Sequence, residues 1–171
     1  MPNRARILTR AKSVATAQSL DRWFQSAVRY LARFDRTTAQ VEALLRAKGA
    51  GPRETRTIVG RLQDLGYLDD RAYAERWIEG RLARKPMGIE RLRYELLGKG
   101  LPEDLTDDAI RAQLGDIDED TLARRALAMR QRRGGRLSPL HASYLLHRWG
   151  FAEETVARII GEYRGRGDAE R

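Results

Sequence analysis

The chain has 171 residues, no cysteine, and a formal net charge of +9 with a pI near 10.4. The lack of cysteine excludes disulfides and thiolate metal sites and agrees with a reducing compartment. No apolar run nears the ~20 residues that cross a bilayer, and no hydrophobic stretch follows Met1-Pro2-Asn3-Arg4 as in a secretory signal, so a cytoplasmic protein with an anionic partner is expected.

Residues 1–19 are basic and unpatterned and read as a flexible arm. From Leu20 the pattern turns helical, with Trp23, Phe24, Ala27, Tyr30, Leu31 and Phe34 at steps of three and four. Thr37 and Gln40 have the spacing of a capping box, and Val41, Leu44 and Leu45 give the next apolar face. Lys48-Gly49 ends that helix. Gly51-Pro52 opens another, with proline at its first position and Ile58, Val59, Leu62 and Leu65 facing inward.

Gly66 closes that helix, and Asp69 is the natural N-cap of the next. Leu68 before the cap and Tyr73 after it have the spacing of a hydrophobic staple. Tyr73 and Trp77, four apart, lie on one helix face. Tyr67, Tyr73 and Trp77 read first as core aromatics and as the best candidates for packing neighbouring modules. Asp69 and Asp70 read as caps before ligands.

The same events recur. A helix from Asp69 to about Arg84 is followed by the turn Lys85-Pro86-Met87-Gly88. A second helix carries Ile89, Leu92, Leu96 and Leu97, and a third starts at Pro102-Glu103. Ile117-Asp118 then repeats Leu68-Asp69, Ser138-Pro139 starts a helix that Gly150 stops, and Val156, Ile159, Ile160 and Tyr163 line the last one. Gly49, Gly100 and Gly150 are 51 and 50 residues apart, and Leu45, Leu96 and Leu146 each stand four before them. That register predicts three tandem three-helix modules, 20–68, 69–116 and 117–165, with a tail at 166–171. The fold expected is all-α, elongated and monomeric, with no sheet. Arg132-Arg133-Gly134-Gly135-Arg136 is expected to lengthen the first loop of the third module.

Gly66-Tyr67-Leu68-Asp69-Asp70-x-x-Tyr73-Ala74-x-x-Trp77 resembles the central signature of RecX proteins, small bacterial regulators of the RecA recombinase. The resemblance runs from about Tyr30 to about Tyr163 and is most specific in the middle. It implies tandem three-helix units that bind RecA and its nucleoprotein filament along the groove, inhibit its ATPase and strand exchange, and promote its disassembly, within DNA repair and the SOS response. The longer basic arm and the Arg132–Arg136 sequence depart from the family pattern.

The residues themselves offer no catalytic constellation. His141 and His147 are six apart and share no helix face. No phosphate-cradling glycine loop is present. Glu103, Asp104, Asp107 and Asp108 could hold a divalent cation, but acids in a first helical turn are ordinary partners of the helix dipole. No cofactor and no metal are expected.

Charge is more informative. Residues 71–99 hold eight Arg or Lys against four acids, and residues 124–136 hold six against none. Partner contact is therefore assigned to Arg81, Arg84, Lys85, Arg91 and Arg93, and to Arg124, Arg125, Arg132, Arg133 and Arg136. For the first group, interleaved acids make a plain solvated face an equal explanation. A basic helical domain that binds DNA or RNA directly, with no RecA target, is the alternative. An enzyme with a carboxylate–metal site at Glu103–Asp108 is the remoter one.

Overall fold

The computed structural model describes residues 18–169. Among these the chain is helical without a strand. The helices are α1 (18–31), α2 (Thr38–Ala47), α3 (Pro52–Asp64), α4 (Asp70–Arg84), α5 (Ile89–Leu97), α6 (Glu103–Leu114), α7 (Glu119–Gly134), α8 (Pro139–Arg148) and α9 (Glu153–Ala169).

Their starts follow local chemistry. A helix leaves its first amides without partners, and a short polar side chain at the cap supplies one. Thr37 accepts from the Gln40 N–H, and the Gln40 side chain accepts from the Thr37 N–H, completing the box. Asp69 Oδ1 accepts from the Ala72 N–H at 2.9 Å, and Asp118 Oδ1 from the Thr121 N–H at 2.7 Å. Ser138 caps α8 ahead of Pro139.

Their ends repeat one device. Gly49, Gly100 and Gly150 all have positive φ, which costs glycine nothing. The residues after them, Ala50, Leu101 and Phe151, return N–H groups to the carbonyls of Leu45, Leu96 and Leu146. Each of these following residues is buried. Gly66 closes α3 in the same way.

The chain divides after Tyr73, inside the first turn of α4, into two compact units. The first is built on Phe24, Ala27, Val41, Leu45, Ile58, Val59, Leu62 and Leu68. A fully buried leucine such as Leu45 or Leu62 contributes roughly 1.5–3 kcal/mol. Asp70 Oδ1 accepts from the Thr38 N–H at 2.8 Å, so the first turn of α4 caps α2. In the second unit α5 packs on α6, and α7, α8 and α9 pack on one another. Its core includes Ile78, Leu92, Leu96, Leu122, Leu127, Leu146 and Ile159.

Within that second unit the turn before α5 is pressed against the turn after α8. The Gly88 N–H donates to the Trp149 carbonyl at 3.1 Å. A Cβ on Gly88 would lie 1.8 Å from the Gly150 oxygen, and one on Gly150 would lie 2.5 Å from Arg91 Cβ. Glu119 completes the junction. Its Oε1 accepts from the Ile89 N–H at 2.9 Å, and its Oε2 from the Ala152 N–H and the Thr155 hydroxyl. One carboxylate thus serves the first turns of α5 and α9.

Several expectations are corrected. Leu65 is exposed rather than inward, and Phe34 and Leu97, which keep the helical apolar spacing, are exposed as well. Phe34 lies beyond the end of α1, and the other two sit at or beside helix ends, where the apolar stripe no longer faces a neighbour. Tyr67 is exposed, while Leu68 beside it is buried, because the glycine turn at Gly66 aims Leu68 inward. Trp77 is half-buried, against an expected core position. Arg132, Arg133 and Gly134 belong to α7, so the third turn is not lengthened: residues 85–88 and 135–138 join their helices alike. The predicted arm lies outside the described residues except for 18 and 19, which begin α1. Helix α9 runs to Ala169, into the segment expected as a tail.

Candidate partner-binding surface

The first predicted cationic group is built on α4 and α5. Helix geometry brings Arg81, in the last turn of α4, to Glu95 on α5 at 2.6 Å. Arg91, one turn before Glu95, holds its other oxygen at 2.8 Å. Burial pushes the Glu95 carboxyl up, but the Arg81 and Arg91 hydrogen bonds and charges outweigh it and hold it below the usual range. Arg81 and Lys99 both lie over the Trp77 ring, at 5.1 and 5.4 Å. Trp77 is thereby a platform between two cations as well as a partial core residue.

Arg93 binds Glu103 at 3.1 Å and also Asp107. The Asp107 hydrogen bond and charge hold its guanidinium more firmly in the charged form. The acidic first turn of α6 is therefore occupied by a cation of the chain itself. Among the described residues no group of three His or acidic side chains is arranged to hold a metal.

The second group lies on and after α7. The run 124–136 contains no acid, yet Arg124 is paired from outside it. Glu162 on α9 accepts two hydrogen bonds from Arg124, at 3.1 and 2.7 Å, and Asp120 stands one turn back. The hydrogen bond to Glu162 raises the Arg124 pKa further. Asp120 is itself clamped by Arg158 at 2.9 and 2.8 Å, which holds its carboxyl low.

What remains open is narrower than the sequence indicated. Arg81, Arg91, Arg93 and Arg124 are engaged within the chain. Arg136 is exposed in the turn before α8 and also has an interaction within the chain. Arg84 and Lys85 at the end of α4, and Arg125, Arg132 and Arg133 on α7, are exposed. Among the described residues none of these five makes an ion pair. Arg125 and Arg132 are seven apart, two turns, and so share one face of α7. Of the motif residues, Leu68 and Tyr73 are buried, Asp69 and Asp70 cap α4 and α2, and Tyr67 is exposed. Burial raises the Tyr73 hydroxyl pKa, and Arg36 partly offsets this.

Sequence reasoning missed the carboxylates. Glu95, Asp120 and Glu162 decide which cations are free, Glu119 holds backbone donors, and each pairs with residues of another helix. Only Glu119 left a trace, since it occupies the repeat position of Asp70, 49 residues on.

The fold and these faces define a helical protein, strand-free among the described residues, that presents cations at one helix end and along one helix face. Residues 69–110 match the family model described as RecX, second three-helix domain. The Regulatory protein RecX of Chlorobaculum tepidum is 32% identical over 150 residues, covering 83% of this chain and 91% of that protein. The Regulatory protein RecX of Thermus thermophilus is 40% identical over 84 residues, covering 49% of this chain and 57% of its own length. For several such relatives the matched stretch spans little more than half their length. The crystal structure of RecX from Lactobacillus salivarius superposes with a TM-score of 0.65 at 23% identity, covering 85% of this chain and 97% of that one, and shares the fold. The chain belongs to the RecX family of regulatory proteins. No helix among the described residues is long and apolar enough to cross a membrane.

Proposed function

We propose that this chain binds the RecA recombinase and its filament on DNA, and regulates it by occupying that filament rather than by catalysis. Family membership, carried by the near-full-length likeness to the Chlorobaculum protein, is the observation behind this reading. The expected effect is inhibition of the recombinase ATPase and of strand exchange, in DNA repair and the SOS response, by a cytoplasmic monomer. We read residues 20–68, 69–116 and 117–165 as its three modules.

Contact is assigned first to Arg84, Lys85, Arg125, Arg132 and Arg133, because they can meet phosphate or carboxylate without giving up an internal partner. Arg81, Arg91, Arg93, Arg124 and Arg136 are secondary. Exposed ion pairs are worth ~1 kcal/mol or less, so a partner can compete for them. The same free cations favour one other reading, direct binding of DNA or RNA with no RecA.

The test is sedimentation of RecA filaments with the protein, followed by the filament ATPase rate. Binding with a falling rate is expected. No sedimentation and an unchanged rate, together with a shift of naked DNA, would replace this reading with the nucleic-acid one.

A further inference from the structure

Two exposed tyrosines occupy one position of the repeat. Tyr94 on α5 and Tyr144 on α8 are 50 residues apart, as are Gly100 and Gly150. They are 71% and 59% exposed. Each is accompanied one turn back on its own helix. Arg91 lies over the Tyr94 ring at 5.9 Å, and His141 stands edge-on to Tyr144 at 6.5 Å.

On α8 the pattern extends into a continuous face. Leu140, 83% exposed, is four residues before Tyr144, and His147 is three after it. Residues at i, i+4 and i+7 line one side of a helix. His141 and Arg148 flank that line and are also exposed. The opposite side supplies Ala142, Leu145 and Leu146 to the core, and among the described residues the outer face stays exposed. No acidic residue occurs in α8. The nearest acid recorded against the face is Glu153, 3.5 Å from His147 at its edge.

We propose that this outer face of α8 docks on protein, with Leu140 and Tyr144 entering an apolar pocket rimmed by carboxylates. The inference rests on the filament reading above and names which part of the filament α8 meets: the protein subunits, not the DNA. A leucine offers a base no ring to stack on and a phosphate no donor. An exposed leucine and tyrosine one turn apart are the anchors an amphipathic helix lays into a protein groove. Arginine and imidazole donors without an acid on the same helix set the sign of the rim. The matching face of α5 adds Glu90 beside Tyr94 and Leu97, so α8 is the better anchor for an acidic rim.

The test compares wild type, the double variant Leu140→Ser/Tyr144→Ser, and Tyr144→Phe. Affinity is measured for RecA filaments across a salt series, and for the same single-stranded DNA without RecA. Both altered side chains are exposed, so circular dichroism melts should coincide. The double variant should bind filaments at least tenfold more weakly with an unchanged salt slope, because apolar contacts release no counterions. Tyr144→Phe should bind like wild type, and affinity for naked DNA should be the same for all three. Wild-type affinity in the double variant would overturn the proposal while leaving the filament reading intact. A parallel loss on naked DNA, or a flattened salt slope, would overturn it in favour of a nucleic-acid contact. Failure of wild type itself to bind filaments would remove the reading and this inference together.

Discussion

The Glu119 carboxylate accepts a hydrogen bond from the Ile89 backbone N–H at 2.9 Å, tying the first turn of α7 to the first turn of α5. Asp70 makes the matching contact with the Thr38 N–H at 2.8 Å, tying α4 to α2. In each case an acid at the start of one helix caps a helix that began some thirty residues earlier. The position that continues the series after Thr38 and Ile89 is Pro139, which has no N–H to give.

Glu119 serves three donors, and Asp69 serves one. A lost cap costs ~0.5–2 kcal/mol. Glu119→Ala should then cost ~2–4 kcal/mol, as three part-buried hydrogen bonds are lost together and the buried Thr155 hydroxyl is left without this partner. Asp69→Ala should stay at ~0.5–2 kcal/mol. Urea melts of the two variants order them, and an equal or larger loss at Asp69 contradicts the bridging role.

Gly88→Ala should be severe, because the new Cβ would meet the Gly150 carbonyl, which is backbone and cannot rotate away. A loss of at least ~2 kcal/mol is expected, at or above the usual cost of overpacking. Gly80, within α4, has open space at its Cβ position. Gly80→Ala should stabilise by ~0.5–1 kcal/mol, the helix-interior difference between the two residues. Thermal melts that show the two changes to be alike would refute the close approach of the two turns.

The arginine pairs hold Glu95 and Asp120 below their ordinary carboxyl range in the folded chain. The folded state therefore binds protons less readily than the unfolded one. The stability these groups contribute is fully present above the unfolded pKa, about 4. It is lost as pH falls through the lower folded values. The melting-temperature gap between wild type and Glu95→Gln should be widest near neutrality and close on acidification. A gap that widens toward pH 3 would reverse the sign of this account.

Helix boundaries were legible because their causes are local. Thr37, Asp69, Asp118 and Ser138 cap the helix that follows them, and Gly49, Gly66, Gly100 and Gly150 close the one before. The cationic surface was only half legible. Arg124 looked free because the run around it has no acid, yet its partner Glu162 lies 38 residues away. Arg81 and Arg93 were likewise claimed by acids that only the folding of α5 and α6 brings near. Residues at helix ends, such as Phe34 and Leu97, kept the apolar period but lost the neighbour to bury against. Tyr94 and Tyr144 could have been found by aligning the repeats, since both break the core stripe at one position.

The central claim is that free cations on α7 carry partner binding. It is tested most directly by filament affinity across a salt series for wild type and the triple variant Arg125→Ala/Arg132→Ala/Arg133→Ala. Arg124→Ala, whose side chain already has Glu162, is the comparison. Every duplex-DNA phosphate that the protein no longer neutralises takes ~0.9 off the slope of log affinity against log salt. The account predicts that the triple variant melts like wild type, binds at least tenfold more weakly, about 1.4 kcal/mol, and shows a flatter slope, with Arg124→Ala changed less. Equal affinity and equal slope for the triple variant would make this face solvated surface and contradict the account.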